Sequence, residues 1–259
     1  MRAGLLSVLI VILSIWSIHA QALNCWGFLT DLGEKINDAL HPSSMEELRT
    51  KHDYAKARYL GSMEKLAAEA EPTAIDRLIR ETYEAQVEYC KLHNRLVDRT
   101  GGYKLIPMDI QYIGERYAKS LFHKKEALKS EYAGKNAVYY YTPEGREKFH
   151  LRVKEGKLYD NFGHIISDIY RWPMIMDSEG EFYLAPSHDR YDQRNLKWGP
   201  LADGNPVGFA GKISINGRGQ VTEIVPDTPQ YHSTLSQLKQ VLSRFISLGV
   251  DTTKAKAAI

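Results

Sequence analysis

The last third of the chain contains a hairpin signal followed by a helix signal. Asn216-Gly217 lies between the β-prone runs Lys212–Ile215 and Val221–Val225, and an Asn-Gly pair favours the positive φ angles of a tight turn. Thr234 and Gln237 then have the spacing of a capping box, which predicts that a helix begins there. A hairpin that runs into a capped helix restricts this part of the chain to a sheet covered by a helix. The expected apolar face of that helix consists of Leu235, Leu238, Leu242 and Phe245.

Shorter hairpin signals precede it. Glu155-Gly156-Lys157 separates the alternating run Phe149–Val153 from Leu158-Tyr159, and Asp177–Glu181 separates two further strand-like runs. Those two runs are Met174–Met176 and Phe182–Leu184, and another β-prone run is Val138–Tyr141. Several antiparallel hairpins with one covering helix predict an α+β module over residues 136–251, followed by a disordered tail over residues 252–259.

The region 23–135 has helical rather than strand periodicity. Ser44 and Glu47 form a capping-box pattern, and the apolar positions that follow predict a helix from about Met45 to Ala70. Pro72 ends that pattern, and Thr73 is the candidate cap of a second helix that stops before Gly101. A short connection predicts that the two helices pack antiparallel. A third helical pattern begins at Ile110, so this region is expected to be a helical bundle. The apolar stripes are Met45, Leu48, Ala55, Tyr59, Met63 and Leu66 in the first helix, and Ile75, Ile79, Tyr83, Val87, Cys90 and Val97 in the second.

The N-terminus has the pattern of a secretory signal peptide. Arg2 precedes the apolar run Leu5–Ile18, and Ala20-Gln21-Ala22 supplies the small-x-small cleavage pattern. The apolar run is shorter than the roughly 20 residues that span a bilayer. We therefore expect residues 1–22 to be removed, the protein to be secreted, and no stable membrane insertion after cleavage.

The only cysteines are Cys25 and Cys90. An even number of cysteines in an oxidising compartment predicts one disulfide, which would join the N-terminal segment to the second helix. The alternative is that Cys90 is a buried free thiol on an apolar stripe.

The composition restricts the classes of partner. The formal net charge of +2 offers no electrostatic attraction for nucleic acid or for an anionic membrane surface. The known metal, nucleotide and nucleophile motifs are absent from the sequence, so neither a metal nor a cofactor is expected. A protein partner fits this composition best.

The order of elements over Tyr141–Asp251 resembles one known family. The hairpins, the loop Leu201–Gly211, Tyr231 and the final helix follow the order found in the C-terminal module of the plant IQ-motif calmodulin-binding (IQM) proteins, which also occurs in fungi and bacteria. The residues that match the family pattern are Gly204, Pro206, Val207, Ala210, Gly211 and Tyr231. The resemblance implies a retained scaffold, because Gly and Pro positions shape the backbone.

The polar positions of the family pattern carry other residues. Its histidine and serines fall on Leu196, Lys197, Trp198 and Gly199, and its Ser-Gly-His-Tyr-x-Pro motif falls on Thr228, Pro229, Gln230, Tyr231 and Ser233. Gln cannot exchange protons near neutral pH as His does. Any site that the resemblance implies is therefore expected to be changed.

Calmodulin is not an expected partner. Ile110-Gln111 begins like an IQ motif, but Glu115 stands where a basic residue is needed. A secreted chain also does not meet cytosolic calmodulin.

Two candidate sites remain. The polar run Ser187–Arg194 contains His188 with nearby acids, which suggests a metal ligand, a base or a solvated loop. Asp203, Tyr231 and His232 are the other candidates, and their structural alternatives are an Asx-turn and a packed tyrosine.

The predicted function is a secreted, non-enzymatic binding or effector protein, such as a host-interaction factor. The alternative is a secreted enzyme or toxin with a re-formed site around His188, Asp203, Tyr231 and His232. The alternative requires these side chains to converge in one concave pocket.

Overall fold

The computed structural model describes residues 43–69, 71–114, 146–185 and 198–257. The predicted signal peptide, Cys25, Val138–Tyr141 and His188 lie outside these ranges. The chain divides after Glu47, and the packing described below belongs to the second unit, Leu48–Ile259.

Two long helices open the described chain. Helix α1 spans Met45–Ala68, and the Glu47 backbone N–H donates to Ser44 Oγ over 3.0 Å, which confirms the predicted start. Helix α2 spans Pro72–Thr100. Its N-cap is Glu71 and not Thr73 as predicted, because Pro72 occupies the first helical turn, where its missing N–H costs nothing. Residues 110–114 are also helical, and the rest of the third helical pattern lies outside the description.

The two helices form an antiparallel pair, as predicted. His52 contacts His93 and Arg58 contacts Glu88, so positions later in α1 meet positions earlier in α2. The two stripes are buried as expected at most positions, but Val87 is exposed. The residues buried between the helices are Leu48, Ala55, Tyr59, Ala85, Tyr89, Cys90 and Leu92, with Leu105.

A small hairpin precedes the main sheet. Strands β1 (Arg152–Lys154) and β2 (Lys157–Tyr159) pair antiparallel, and Glu155 and Gly156 both have positive φ, at 53° and 73°. A Cβ at Gly156 would lie 2.5 Å from the carbonyl oxygen of Gly249. The turn therefore requires glycine both for its conformation and for this close approach.

The main sheet has five strands in the order β4-β3-β5-β6-β7. The strands are β3 (Ile169–Met176), β4 (Phe182–Leu184), β5 (Phe209–Ile215), β6 (Val221–Val225) and β7 (Lys256–Ala257). The predicted hairpins β3–β4 and β5–β6 are both confirmed. The sheet is joined through β3 and β5, which pair antiparallel with an irregularity between Ile169 and Trp172.

Two helices complete the fold: α3 (Trp198–Leu201) and α4 (Leu235–Ser247). The capping box of Thr234 and Gln237 is confirmed. Leu238, Val241 and Phe245 face the sheet, and the Phe245 ring stacks on Phe182 with centroids 4.3 Å apart. Leu235, which we expected on this face, is exposed, because it lies in the first turn beyond the buried stripe.

The helices and the sheet share a core. One buried cluster joins Ile75 and Ile79 of α2 to Ile175 of β3 and to Val207 and Tyr231. The fold is α+β, with N-terminal helices and a C-terminal helix. The change of periodicity near residue 135 therefore does not separate two cores. Residues 252–257 were expected in a disordered tail, but Lys256–Ala257 pairs parallel with β6.

Candidate functional site

The loop after α3 is held by buried side chains rather than arranged around a ligand. Asp203 and Gly204 have positive φ, at 51° and 72°. The Gly204 carbonyl accepts from Gln86 Nε2 at 3.2 Å and from the Tyr59 hydroxyl at 3.4 Å. Gln86 Oε1 in turn accepts from the Met108 backbone N–H at 2.8 Å. These bonds tie α1 and α2 to the loop, because buried carbonyls and amides need partners.

Tyr231 is part of this support. Its side chain is buried in the shared core, and its hydroxyl donates to the Asn205 carbonyl at 2.9 Å. Its backbone pairs with Met108. The structural alternative for Tyr231, a packed ring with a bonded hydroxyl, is what the structure contains.

His232 faces the opposite way. Its side chain is 79% exposed, and Nε2 lies 3.3 Å from Asp109 Oδ2. Adjacent residues in extended backbone point in opposite directions, so Tyr231 and His232 do not converge. Asp203 is half-buried, and His188 lies outside the described residues. The described members of the alternative enzymatic site thus do not form a common pocket.

Two residues at positions where the IQM pattern has polar side chains hold the backbone. Gln230 is buried, and its Oε1 accepts from the Gly199 N–H at 2.7 Å. Trp198 Nε1 donates to the Gly211 carbonyl. Trp198 joins α3 to β5, and Gln230 joins α3 to the segment before α4, so these two substituted positions serve packing. Leu196 and Lys197 lie outside the described residues.

The matching residues also serve backbone geometry. A Cβ at Gly211 would lie 2.2 Å from the Val225 carbonyl oxygen. Val207 is buried and pairs with Ile106, and Pro206 is buried beside it.

The feature that sequence reasoning missed is an open cleft of about 430 Å³ beside the β1–β2 hairpin. Its floor is apolar and comes from Ile169 and Trp172 of β3 and Leu184 of β4. Its walls are the segment 148–151 and the segment 160–167. The full lining is Lys148, Phe149, His150, Leu151, Asp160, Phe162, Ile165, Ile166, Ser167, Ile169, Trp172 and Leu184.

Two apolar side chains project at this cleft. Phe162 is 75% exposed and Ile165 is 45% exposed. Tyr170, between the floor residues of β3, is 74% exposed. Large apolar side chains grouped at the surface mark interaction sites more often than isolated ones do. We name Phe162 and Ile165, together with the cleft beside them, the apolar lip.

Asp160 fixes the loop that carries the apolar lip. Its Oδ1 accepts from the Phe162 N–H at 2.9 Å and from the His164 N–H at 2.8 Å. Burial disfavours the charged carboxylate, but these bonds and His164 outweigh it and hold the pKa of Asp160 below its ordinary value. The loop also returns to β2, because the Ile166 N–H donates to the Leu158 carbonyl.

The polar wall of the cleft is internally paired. His150 Nε2 lies 3.0 Å from Glu181 Oε2, and Nδ1 lies 3.4 Å from Glu147 Oε1. Both ring nitrogens therefore face carboxylates of the chain itself. This arrangement positions the imidazole against the Tyr183 ring at 5.2 Å between centroids.

Cys90 is a free thiol within the described residues, and it is buried at the α1–α2 contact. Burial raises the pKa of this thiol far above its ordinary value. Because Cys25 lies outside the described residues, the Cys25–Cys90 disulfide stays a prediction.

The described ranges contain no group of His, Cys, Asp or Glu residues that could hold a metal ion. No helix in the same ranges is long and apolar enough to cross a membrane. No protein-family model, curated protein or solved structure matches the chain.

The cleft had a weak signal in the sequence. Phe162 lies in the turn Asp160-Asn161-Phe162-Gly163, and a large aromatic residue in a polar turn is unusual. Its neighbours in the cleft come from three separate segments, which sequence periodicity cannot bring together.

Proposed function

We propose that the chain is a secreted, non-enzymatic binding protein and that the apolar lip is its contact surface for a protein partner. The observation that carries this proposal is the exposure of Phe162 and Ile165 beside an apolar floor. Burying a large apolar side chain in a partner stabilises the complex by roughly 1.5–3 kcal/mol. A chain gains nothing in water from keeping such a pair exposed.

The rigidity of the surface supports the same function. The floor of the cleft belongs to β3 and β4. Asp160 fixes the loop that carries the apolar lip by accepting two hydrogen bonds from its backbone. A surface that is already ordered loses little conformational entropy when it binds. The two carboxylates beside His150, Glu147 and Glu181, also pair with Arg152 and Arg244. That wall is therefore without strong excess charge, which fits a partner that is recognised through apolar contacts.

Secretion is part of the proposal and rests on Arg2, the apolar run Leu5–Ile18 and the cleavage pattern that ends at Ala22. N-terminal sequencing of protein recovered from the medium should begin near Leu23. Protein that stays with the cells and retains Met1 would contradict this part.

The binding proposal is tested with the double variant Phe162→Ser/Ile165→Ser of the mature protein. Partners recovered with wild-type protein are purified, and their affinity for each form is measured by calorimetry. We expect the double variant to lose affinity by at least about tenfold, because each apolar contact contributes more than 1 kcal/mol.

The matched control is Ile246→Ser, since Ile246 of α4 is also exposed and apolar but does not line the cleft. Equal affinities of the wild type and the double variant would remove the apolar lip as the contact surface. A loss of affinity in the Ile246 variant, with the affinity of the double variant unchanged, would place the contact surface on α4 instead.

A further inference from the structure

Helices α1 and α2 meet at a pair of histidines. His52 Nε2 lies 3.3 Å from His93 Nδ1, and His93 Nε2 lies 3.1 Å from the carbonyl oxygen of Tyr103. His52 Nδ1 lies 2.9 Å from Asp53 Oδ1. The His52 side chain is only 13% exposed, and His93 is half-buried. A continuous chain of polar contacts thus runs from Asp53 to the segment after α2.

The positions of the protons in this series of polar contacts follow from its donors and acceptors. A carbonyl oxygen only accepts, so His93 Nε2 must carry a proton. A neutral His93 then has an acceptor at Nδ1, which requires a proton on His52 Nε2. His52 Nδ1 can donate to Asp53 only if His52 carries a second proton. When all three contacts are hydrogen bonds, the two rings together carry one proton more than two neutral rings do. Two neutral rings lose only the exposed bond to Asp53.

A further proton on His93 has no acceptor. It would place N–H groups on both nitrogens of the 3.3 Å contact, so that two donors and two positive charges face each other. The other groups that face the pair are Asp53 and Lys56 from α1 and the Tyr89 ring from α2, whose centroid lies 5.4 Å from that of His52. Asp53 is exposed, and Lys56 adds positive charge, so neither group compensates the second cation.

We propose that the His52–His93 pair is a pH-sensitive latch between α1 and α2. With one added proton or none it holds the two helices together, and a second added proton separates them at this contact. Separation of the helices at this contact would also loosen other α1 contacts. Tyr59 of α1 is bonded to the Gly204 carbonyl, and Leu48 and Ala55 are buried against α2. The latch is independent of the apolar lip.

The direction of the pH effect follows from His93. Burial lowers its pKa; the hydrogen bond to the Tyr103 carbonyl raises it, and repulsion from His52 and Lys56 lowers it further, with a net shift below the ordinary value of 6.5. When α1 is released, His93 regains an ordinary pKa near 6.5. The open form therefore binds more protons below pH ~6.5, so α1 packing is at full strength above this pH and is lost as the pH falls towards the folded-state pKa of His93.

The test uses the mature protein and two measurements. Ring NMR signals of His52 and His93 are followed from pH 8 to pH 4.5, and hydrogen exchange of the α1 amides is measured at pH 7.5 and pH 5 with correction for the intrinsic rate. We expect the His93 ring to take up its second proton below pH ~6.5. Protection of the α1 amides should fall on the order of tenfold, while β5 stays protected.

The variant His93→Gln separates titration from contact. Glutamine has an amide donor for the Tyr103 carbonyl and an oxygen acceptor for His52, but it does not titrate. Protection of α1 in this variant should therefore no longer depend on pH. The matched control is His164→Gln, since His164 is exposed and paired with Asp160, and it should retain the wild-type dependence.

Three results would overturn the latch. The first is titration of the His93 ring at or above pH ~6.5, and the second is equal α1 protection at the two pH values. The third is a folded His93→Gln variant with the wild-type pH dependence. If that variant does not fold, the ring titration of the wild-type protein decides the question alone.

Discussion

Several buried polar side chains of this protein bond to backbone atoms of α3 and of the loop that follows it. Gln86 and Tyr59 bond to the Gly204 carbonyl, Tyr231 bonds to the Asn205 carbonyl, and Gln230 bonds to the Gly199 N–H. Residues that look chemical in the sequence thus satisfy groups that would otherwise be buried without partners. The sequence alone could not distinguish these roles, because a tyrosine that packs in a core and a tyrosine that lines a pocket are identical in the sequence.

Tyr231→Phe should destabilise the protein by about 1–2 kcal/mol, because the Asn205 carbonyl loses its donor while the ring stays packed. Urea unfolding measures this as a lower midpoint with an unchanged slope. Tyr170→Phe is the control and should stay within about 0.5 kcal/mol, since Tyr170 is exposed. A loss of partner affinity in Tyr231→Phe without a loss of stability would instead give Tyr231 a role in binding.

At the scale of elements, the sequence predicted the turns and helix starts that depend on neighbouring residues. It did not predict the pairing of strands that are distant in the sequence. The turn at 155–156, the β5–β6 hairpin, the start of α1 and the capping box of α4 depend on neighbouring residues, and the structure confirms them. Within the β5–β6 turn the positive φ falls on Gly219, at 77°, and not on Asn216-Gly217 as the Asn-Gly signal predicted. The pairing of β3 with β5 and the strand β7 join segments that are far apart in the sequence, and no short pattern encodes their register. The cleft was missed for the same reason. The error at Leu235 came from extending the apolar stripe of α4 into its exposed first turn.

Two glycines should respond to alanine in opposite ways. Gly211→Ala should destabilise by on the order of 3 kcal/mol, because the new Cβ would lie 2.2 Å from the Val225 carbonyl oxygen of the neighbouring strand. Gly61→Ala, within α1, should stabilise by roughly 0.5–1 kcal/mol, because nothing lies within 4 Å of the added atom and alanine favours helix. Thermal and urea unfolding of both variants check the pair, and a stable Gly211→Ala protein would show that β5 and β6 can move apart.

At the scale of the whole molecule, one buried cluster joins the first two helices to the sheet. Ile79 of α2 and Ile175 of β3 belong to the same core as Tyr231. The periodicity of the sequence correctly separated helical from strand-forming regions, but periodicity reports local structure and not which faces pack together. Cooperative unfolding of α2 with the sheet is the expected consequence.

Cys90 offers a probe of that cooperativity. Its thiol is buried and its pKa is raised, so a free thiol should resist iodoacetamide in the native state and react only as the protein unfolds. The measurement is alkylation, by mass, of reduced protein across a urea series. Modification well before the sheet unfolds would show that the α1–α2 pair opens on its own. Mass analysis without reduction tells separately whether Cys25 and Cys90 are bridged.

The two-residue strand β7 lies at one end of the sheet, where Lys256–Ala257 runs parallel to β6 at Glu223 and Ile224. Strand β7 therefore occupies backbone groups of β6 that a free edge would present to any other strand. Shortening the chain at Val250 would uncover this edge while leaving α4 intact. A protein truncated there should self-associate, and β7 would then protect the sheet edge against aggregation.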